Sequence, residues 1–212
     1  MRDLEEQAVI AAVRRGDREC FRILVERHHD TLYGVLMRLL GDPALADELA
    51  QEAFVRAYAG LDGFRADARF STWLVQIGIH LARDEVRRRQ RRRQPVSLDE
   101  RCEARGPGRE PVYEGAEADP LAALCLRENE QLLLAALRRL PLPYREVLTL
   151  RYYGDWSFAE IAASTGDSVG TLKVRAHRAR TMLRDELAAR DPGFAAEAGA
   201  AGAARRVHEA RR

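Results

Sequence analysis

The residues best equipped for chemistry lie between Phe64 and Arg93, in the stretch FRADARFSTWLVQIGIHLARDEVRRRQRRR. Trp73, Gln76, His80, Arg83 and Arg87 recur three and four apart, the spacing of one helix face. That face carries an aromatic plane, an amide, an imidazole and two guanidiniums. Such groups stack on unpaired bases, hydrogen-bond base edges and pair with phosphates. Phe64, Arg65 and Phe70 sit just ahead in a short aromatic loop, and Arg88 continues the arginine run that Arg87 begins. A solvated reading competes: basic residues at a helix C-terminus complement the helix dipole without any partner, and Trp73 would fit a half-exposed core position. Aromatic loop and cationic face on one helix shift the balance toward nucleic acid.

A second basic segment lies near the C-terminus. Ser157 and Glu160 form a capping-box signature ahead of Ile161 and Ala162. Ser164-Thr165-Gly166-Asp167 ends that short helix, and Ser168 caps a longer one. Short helix, glycine turn and basic helix spell a helix-turn-helix. Val169, Leu172, Ala176, Ala179 and Leu183 form its inward stripe. Gly170, Thr171, Lys173, Val174, Arg175, His177 and Arg178 are left outside, with Ser168 at the tip. Small residues there permit close approach to a groove, and the cations can reach phosphates or guanine edges. An ordinary helical hairpin with a wet basic face is the competing reading.

Helices must position both segments. Residues 4–15 read as a short helix with Leu4, Ala8, Ala11 and Ala12 on one side, and residues 18–40 as a longer amphipathic one. His28 and His29 are adjacent and so point apart; a solvated or core role suits them better than metal ligation. Gly41-Asp42-Pro43 is a turn that starts the next helix, 44–61. Leu45, Leu49, Ala53, Phe54, Ala57, Tyr58 and Leu61 face its core side. Asp47, Glu48, Gln51 and Glu52 line the other, either a solvated acidic face or a dock for basic helices. Ser71 and Thr72 are the N-cap residues expected for the tryptophan-bearing helix, whose buried stripe is Leu74, Ile77, Gly78 and Leu81. Residues 121–139 resume a helix. Tyr144–Tyr153 forms another, with Gly154 suited to its C-terminal cap. Proline, glycine and scattered charges mark 94–120 as a linker, and 189–212 reads as a disordered or weakly helical tail. The expectation is an all-α chain of two small helical domains, 1–93 and 121–188, the second a helix-turn-helix.

Composition narrows the class. The net charge is +2 over 212 residues, so positive charge is concentrated rather than general, and Lys173 is the single lysine. The three cysteines (Cys20, Cys102, Cys125) match no zinc spacing and are expected as free thiols in a reducing cytoplasm. No signal-peptide core and no apolar run of ~20 residues is present, so a cytoplasmic chain without membrane insertion is expected. No phosphate-cradling glycine loop, nucleophile triad or metal cluster stands out; no cofactor and no catalysis are expected.

DELAQEAFVRAY at 47–58, the stretch at 64–92 and LPLPYREVLTLRYYGDWSFAEIAASTGDSVGTLKVRAHRARTMLR at 140–184 follow one another in order. Together they resemble the extracytoplasmic-function (ECF) group of bacterial RNA polymerase sigma factors, over roughly Arg18 to Leu187 apart from the linker. The resemblance implies that Asp47, Glu48, Gln51 and Glu52 meet the clamp helices of the polymerase's largest subunit. It implies that Phe64, Arg65, Phe70, Trp73, Gln76, His80, Arg83, Arg87 and Arg88 open and read the minus-ten element. Ser168, Gly170, Thr171, Lys173, Val174, Arg175, His177 and Arg178 would read the minus-thirty-five element. Core polymerase, through its clamp helices and flap region, promoter DNA and an anti-sigma factor are the implied partners. His80 stands where the family carries asparagine, and Val174 where serine is common; both bear on which promoter is read. A conventional helix-turn-helix regulator acting on duplex DNA without replacing sigma is the alternative.

Overall fold

The computed structural model describes residues 2–65, 69–92 and 120–190. These form helices and turns, with no strand among the described residues. The chain divides into two units, Met1–Tyr113 and Glu114–Arg212. The expected linker and tail fall almost wholly at 93–119 and 191–212, outside the described residues.

The first unit holds α1 (Arg2–Arg14), α2 (Glu19–Leu40), α3 (Pro43–Gly60), a 3-10 turn (Leu61–Gly63) and α4 (Phe70–Arg92). α2 is its central post, and α1, α3 and α4 all pack against it. Leu24, Leu32, Val35 and Leu36 of α2 are fully buried, each contributing ~1.5–3 kcal/mol of apolar burial. The reversal from α2 into α3 takes two residues. Gly41 ends α2 in the left-handed region (φ 67°), donating to the Met37 carbonyl at 2.8 Å. Asp42 then caps α3 by accepting from the Leu45 N–H at 3.2 Å, with Pro43 at the first helical position.

α1 buries Ile10 and Val13, not the expected Ala8, which is exposed. The larger side chains win the core. α4 starts at Phe70, ahead of the expected caps Ser71 and Thr72, because the buried Phe70 ring sets the helix phase and the Arg69 carbonyl already accepts from Trp73 N–H at 3.1 Å. Tyr58 is 40% exposed rather than core, though its ring meets Phe21 edge-on at 5.0 Å.

Gly78 marks the tightest approach of α4 to α2. A Cβ there would stand 2.8 Å from Leu32 Cδ1 and 3.6 Å from Leu36 Cδ2. Both leucines are fully buried and have no space to withdraw into. Gly78→Val is therefore expected to destabilise the first unit by about 1–3 kcal/mol, read as a lower thermal midpoint by circular dichroism; an unchanged midpoint would show that the helices part at no cost.

The second unit holds α5 (Pro120–Arg139), α6 (Leu142–Leu148), a π-helical turn (Thr149–Tyr153), α7 (Phe158–Thr165) and α8 (Val169–Arg190). α8 is the common partner of α5, α6 and α7. Its buried side chains are Leu172, Ala176 and Ala179; Val169, expected inside, is 38% exposed at the helix tip. The π turn closes with Gly154 N–H on the Thr149 carbonyl at 2.9 Å. Gly154 does not take the left-handed cap: its φ is −79°, and Asp155 takes the positive φ of 54° instead. What demands glycine is space, since a Cβ would meet the Leu150 carbonyl oxygen at 3.0 Å and buried Trp156 at 3.3 Å. Ser157 and Glu160 make the reciprocal capping box, and Gly166 (φ 77°) ends α7 as expected.

Candidate nucleic-acid interface

Four aromatic rings gather where the chain leaves α3 and enters α4. Phe64 lies 5.0 Å from Trp73 and 5.8 Å from Phe70, centroid to centroid; Phe70 lies 5.8 Å from Trp73 and 5.3 Å from His28. Phe64 and Phe70 were expected to face DNA, but they are 5% and 1% exposed. Apolar burial outweighs display here, and these two rings pack where the chain turns into α4. Trp73 is half-buried above them, its ring edge against Gly60. It is the ring of this cluster on the expected DNA face.

Along α4, Gln76 and Arg83 are half-buried, while His80, Arg87 and Arg88 are exposed, as is Arg65. Glu85, only 8% exposed, organises the arginines behind this face. It accepts from Arg88 Nη2 at 2.5 Å and from Arg89 Nε at 2.9 Å. Arg89 also reaches Asp42 at 3.4 Å, tying the end of α4 to the cap of α3, and these carboxylates hold its guanidinium further above its ordinary range. Arg88 is thus held by a carboxylate of its own helix. Among the described residues, Arg87 makes a 4.0 Å contact to Asp84.

On α3, Asp47, Glu48 and Gln51 are exposed and Glu52 is half-buried. Gln51 Nε2 donates to Asp47 Oδ2 at 2.9 Å, and Arg56 Nε to Glu52 Oε1 at 2.8 Å. His29, stacked between Tyr33 and Phe54, stands 3.8 Å from Asp47. Burial, with the Asp47 charge second, pushes the Tyr33 hydroxyl up. Cys20 is a free thiol held above its ordinary range by Asp17, to which its sulfur lies at 3.2 Å, so it is a poor nucleophile. Cys102 and the Cys125 side chain lie outside the described residues.

In the second unit Ser168 accepts from Thr171 N–H at 3.1 Å and shares a hydroxyl contact with Thr171 at 2.9 Å, fixing the tip of α8. Gly170, Thr171, Lys173, Val174, His177 and Arg178 are all exposed. Arg175 differs from expectation. Its guanidinium grips Asp167 at both carboxylate oxygens, 2.5 and 3.2 Å, bridging the turn to the helix. No local pattern announces this pair, because its members stand eight apart, one just ahead of α8 and the other two turns into it.

Comparison with known families follows this layout. Residues 24–92 match Sigma-70 region 2 and residues 130–183 match Sigma-70, region 4, together more than half of the chain. The chain is 34% identical over 181 residues to the ECF RNA polymerase sigma factor SigW of Bacillus subtilis, covering 84% of this chain and 94% of that one. The chain belongs to the ECF sigma factors of RNA polymerase. Further relatives include the RNA polymerase sigma-H factor of Pseudomonas aeruginosa, 33% identical over 84% of this chain and 92% of that one. The ECF RNA polymerase sigma-E factor of Escherichia coli K12 is 31% identical over 87% of this chain and 95% of its own length. Among solved structures, CnrH in complex with the cytosolic domain of CnrY aligns with a TM-score of 0.57 at 28% identity, over 87% of this chain and 97% of that one. The sigma factor RpoE in complex with the anti-sigma factor NepR from Bartonella quintana shares the fold, with a TM-score of 0.62 at 24% identity over 79% of this chain and 96% of that one. As a sigma factor, this protein directs core RNA polymerase to promoters and starts transcription there. The stand-alone regulator is set aside, since both units match sigma regions. Among the described residues no helix is long and apolar enough to cross a membrane.

Proposed function

We propose that the two units divide promoter recognition between them. The first unit docks on the clamp helices of the largest polymerase subunit through Asp47, Glu48, Gln51 and Glu52, and captures the opened minus-ten strand on the α4 face. Trp73 offers the stacking face, Gln76 and His80 the hydrogen bonds, and Arg83 and Arg87 the cations. The second unit lays the start of α8 in the major groove of the minus-thirty-five element. Lys173, His177 and Arg178 are its cationic and imidazole readers, and the flap region of polymerase is its dock. Sigma works in the cytoplasm as a binding protein and not as an enzyme. An anti-sigma factor binds it, as the solved sigma factor RpoE is in complex with the anti-sigma factor NepR.

The observation that supports this most is the sidedness of each unit: one helix face of each carries polar and cationic residues over an apolar packing face. Transcription in vitro with purified core polymerase, with and without this protein, and start-site mapping across the genome tests it. Start sites that depend on the protein and share two upstream elements are expected; their absence would reject the division of labour.

A finer test separates two neighbours on α8. Lys173→Ala is expected to weaken holoenzyme binding to upstream duplex and to lower the log–log salt slope by about 0.9, one phosphate contact. Arg175→Ala is expected to weaken binding at an unchanged slope, because its charge is spent on Asp167 and its loss loosens the turn. Equal slope changes in both would place Arg175 on DNA after all.

A further inference from the structure

α1 lies ahead of the residues matched to Sigma-70 region 2, which begin at 24. Yet it touches one end of the segment that delivers Trp73 directly and reaches the other through His28 of α2. At one end stands Arg14, in the last turn of α1. Its Nε and Nη2 donate to the Leu61 carbonyl at 3.1 and 2.8 Å, and Nη2 also to the carbonyls of Asp62, at 3.4 Å, and Phe64. These acceptors terminate α3 and its 3-10 turn, where the dipole favours a cation; the Leu61 carbonyl also takes the Phe64 N–H at 3.1 Å. One planar fork thus gathers three carbonyls 47 to 50 residues away. At the other end Glu6 Oε2 meets His28 Nε2 at 2.8 Å, with Arg27 at 4.0 Å, and the His28 ring lies against Phe70. Phe64 and Phe70, the two anchors so held, flank Trp73 on its buried side.

We infer that α1 is a brace for strand capture, with Arg14 the positioning residue that fixes the backbone at 61–64 and so the seat of Trp73. The guanidinium does not touch DNA; it holds the backbone on which the stacking ring rests. This rests on the reading of Trp73 as the surface that takes an unpaired base. A lysine at position 14 would keep the charge but not the fork, since one ammonium cannot satisfy three divergent acceptors as a planar guanidinium does.

The test uses holoenzyme made from the full chain and core polymerase. The probe is a fluorescent single-stranded oligonucleotide carrying the non-template minus-ten segment of a promoter found by start-site mapping. Arg14→Met is expected to lower oligonucleotide affinity about tenfold through loss of charge-assisted bonds that order the loop, with holoenzyme assembly within about twofold. The salt slope stays the same, and Arg14→Lys falls between. An affinity within about twofold of the parent overturns the brace. So does a slope reduced by about 0.7, which would mean that Arg14 contacts a phosphate itself. If Arg14→Met fails to assemble, Arg14→Lys decides: a loss of threefold or more with intact assembly supports the brace, and no loss overturns it. Trp73→Ala, measured alongside, separates the two ideas. Loss with Arg14→Met but not Trp73→Ala keeps the brace and discards Trp73 as the platform. The reverse discards the brace and keeps the platform, and no loss in either discards both.

Discussion

Reversing Asp47, Glu48 and Glu52 to lysine is expected to abolish holoenzyme assembly while leaving the helical spectrum of the protein unchanged. The fold has little invested in these side chains. Asp47 accepts one hydrogen bond from Gln51, and Glu52 makes one exposed pair with Arg56, the latter worth about 0.3–0.5 kcal/mol. The docking partner has far more at stake. Like charges brought together at an interface cost several kcal/mol, and each 1.4 kcal/mol is a tenfold change. Three reversals should therefore weaken assembly by well over a hundredfold. Co-elution with core polymerase on gel filtration measures it. Raised salt should recover part of the loss, because exposed charges are screened beyond ~8 Å at physiological ionic strength. Assembly equal to the parent's would move the docking face elsewhere on the first unit.

Trp73→Ala is expected to impair promoter opening tenfold or more while closed-complex formation changes little. Stacking on an aromatic side chain contributes ~1–3 kcal/mol per base, and taking a base out of the duplex costs a few kcal/mol. These figures are close, so deleting one stacking surface tips the balance toward the closed duplex. Trp73 also packs on Phe64 and Phe70, so truncation loosens its own seat. Trp73→Phe keeps an aromatic plane there and should recover most of the opening. Permanganate reactivity of unpaired thymines reports opening, and gel retardation in the cold reports the closed complex. Equal losses in both assays would make Trp73 a packing residue only.

The caps were legible because they are local. Asp42-Pro43, Ser157 with Glu160, Gly166 and Ser168 each act within four residues, and the structure uses each as read. The inward stripe of α8 was legible for the same reason, apart from Val169, exposed in its first turn. Arg14 to Leu61, Glu6 to His28 and Arg175 to Asp167 were not legible, because residues brought together by tertiary folding leave no periodic trace. The burial of Phe64 and Phe70 was not legible for a related reason. An aromatic residue beside a basic helix suits base stacking and core anchoring equally well, and only the surrounding helices decide. Gly154 was read as a conformational requirement, whereas the structure requires it for space against Leu150 and Trp156.

The second unit places α8, the helix proposed to read DNA, at the centre of its own core. Leu172, Ala176 and Ala179 face α5, α6 and α7, while Lys173, Val174, His177 and Arg178 point away on the same helix. Packing and reading therefore occupy interleaved positions that share no side chain. On the proposed assignment, this lets evolution or an engineer rewrite the upstream preference by exchanging four outward residues with the scaffold untouched, so that new regulons can arise without a new fold.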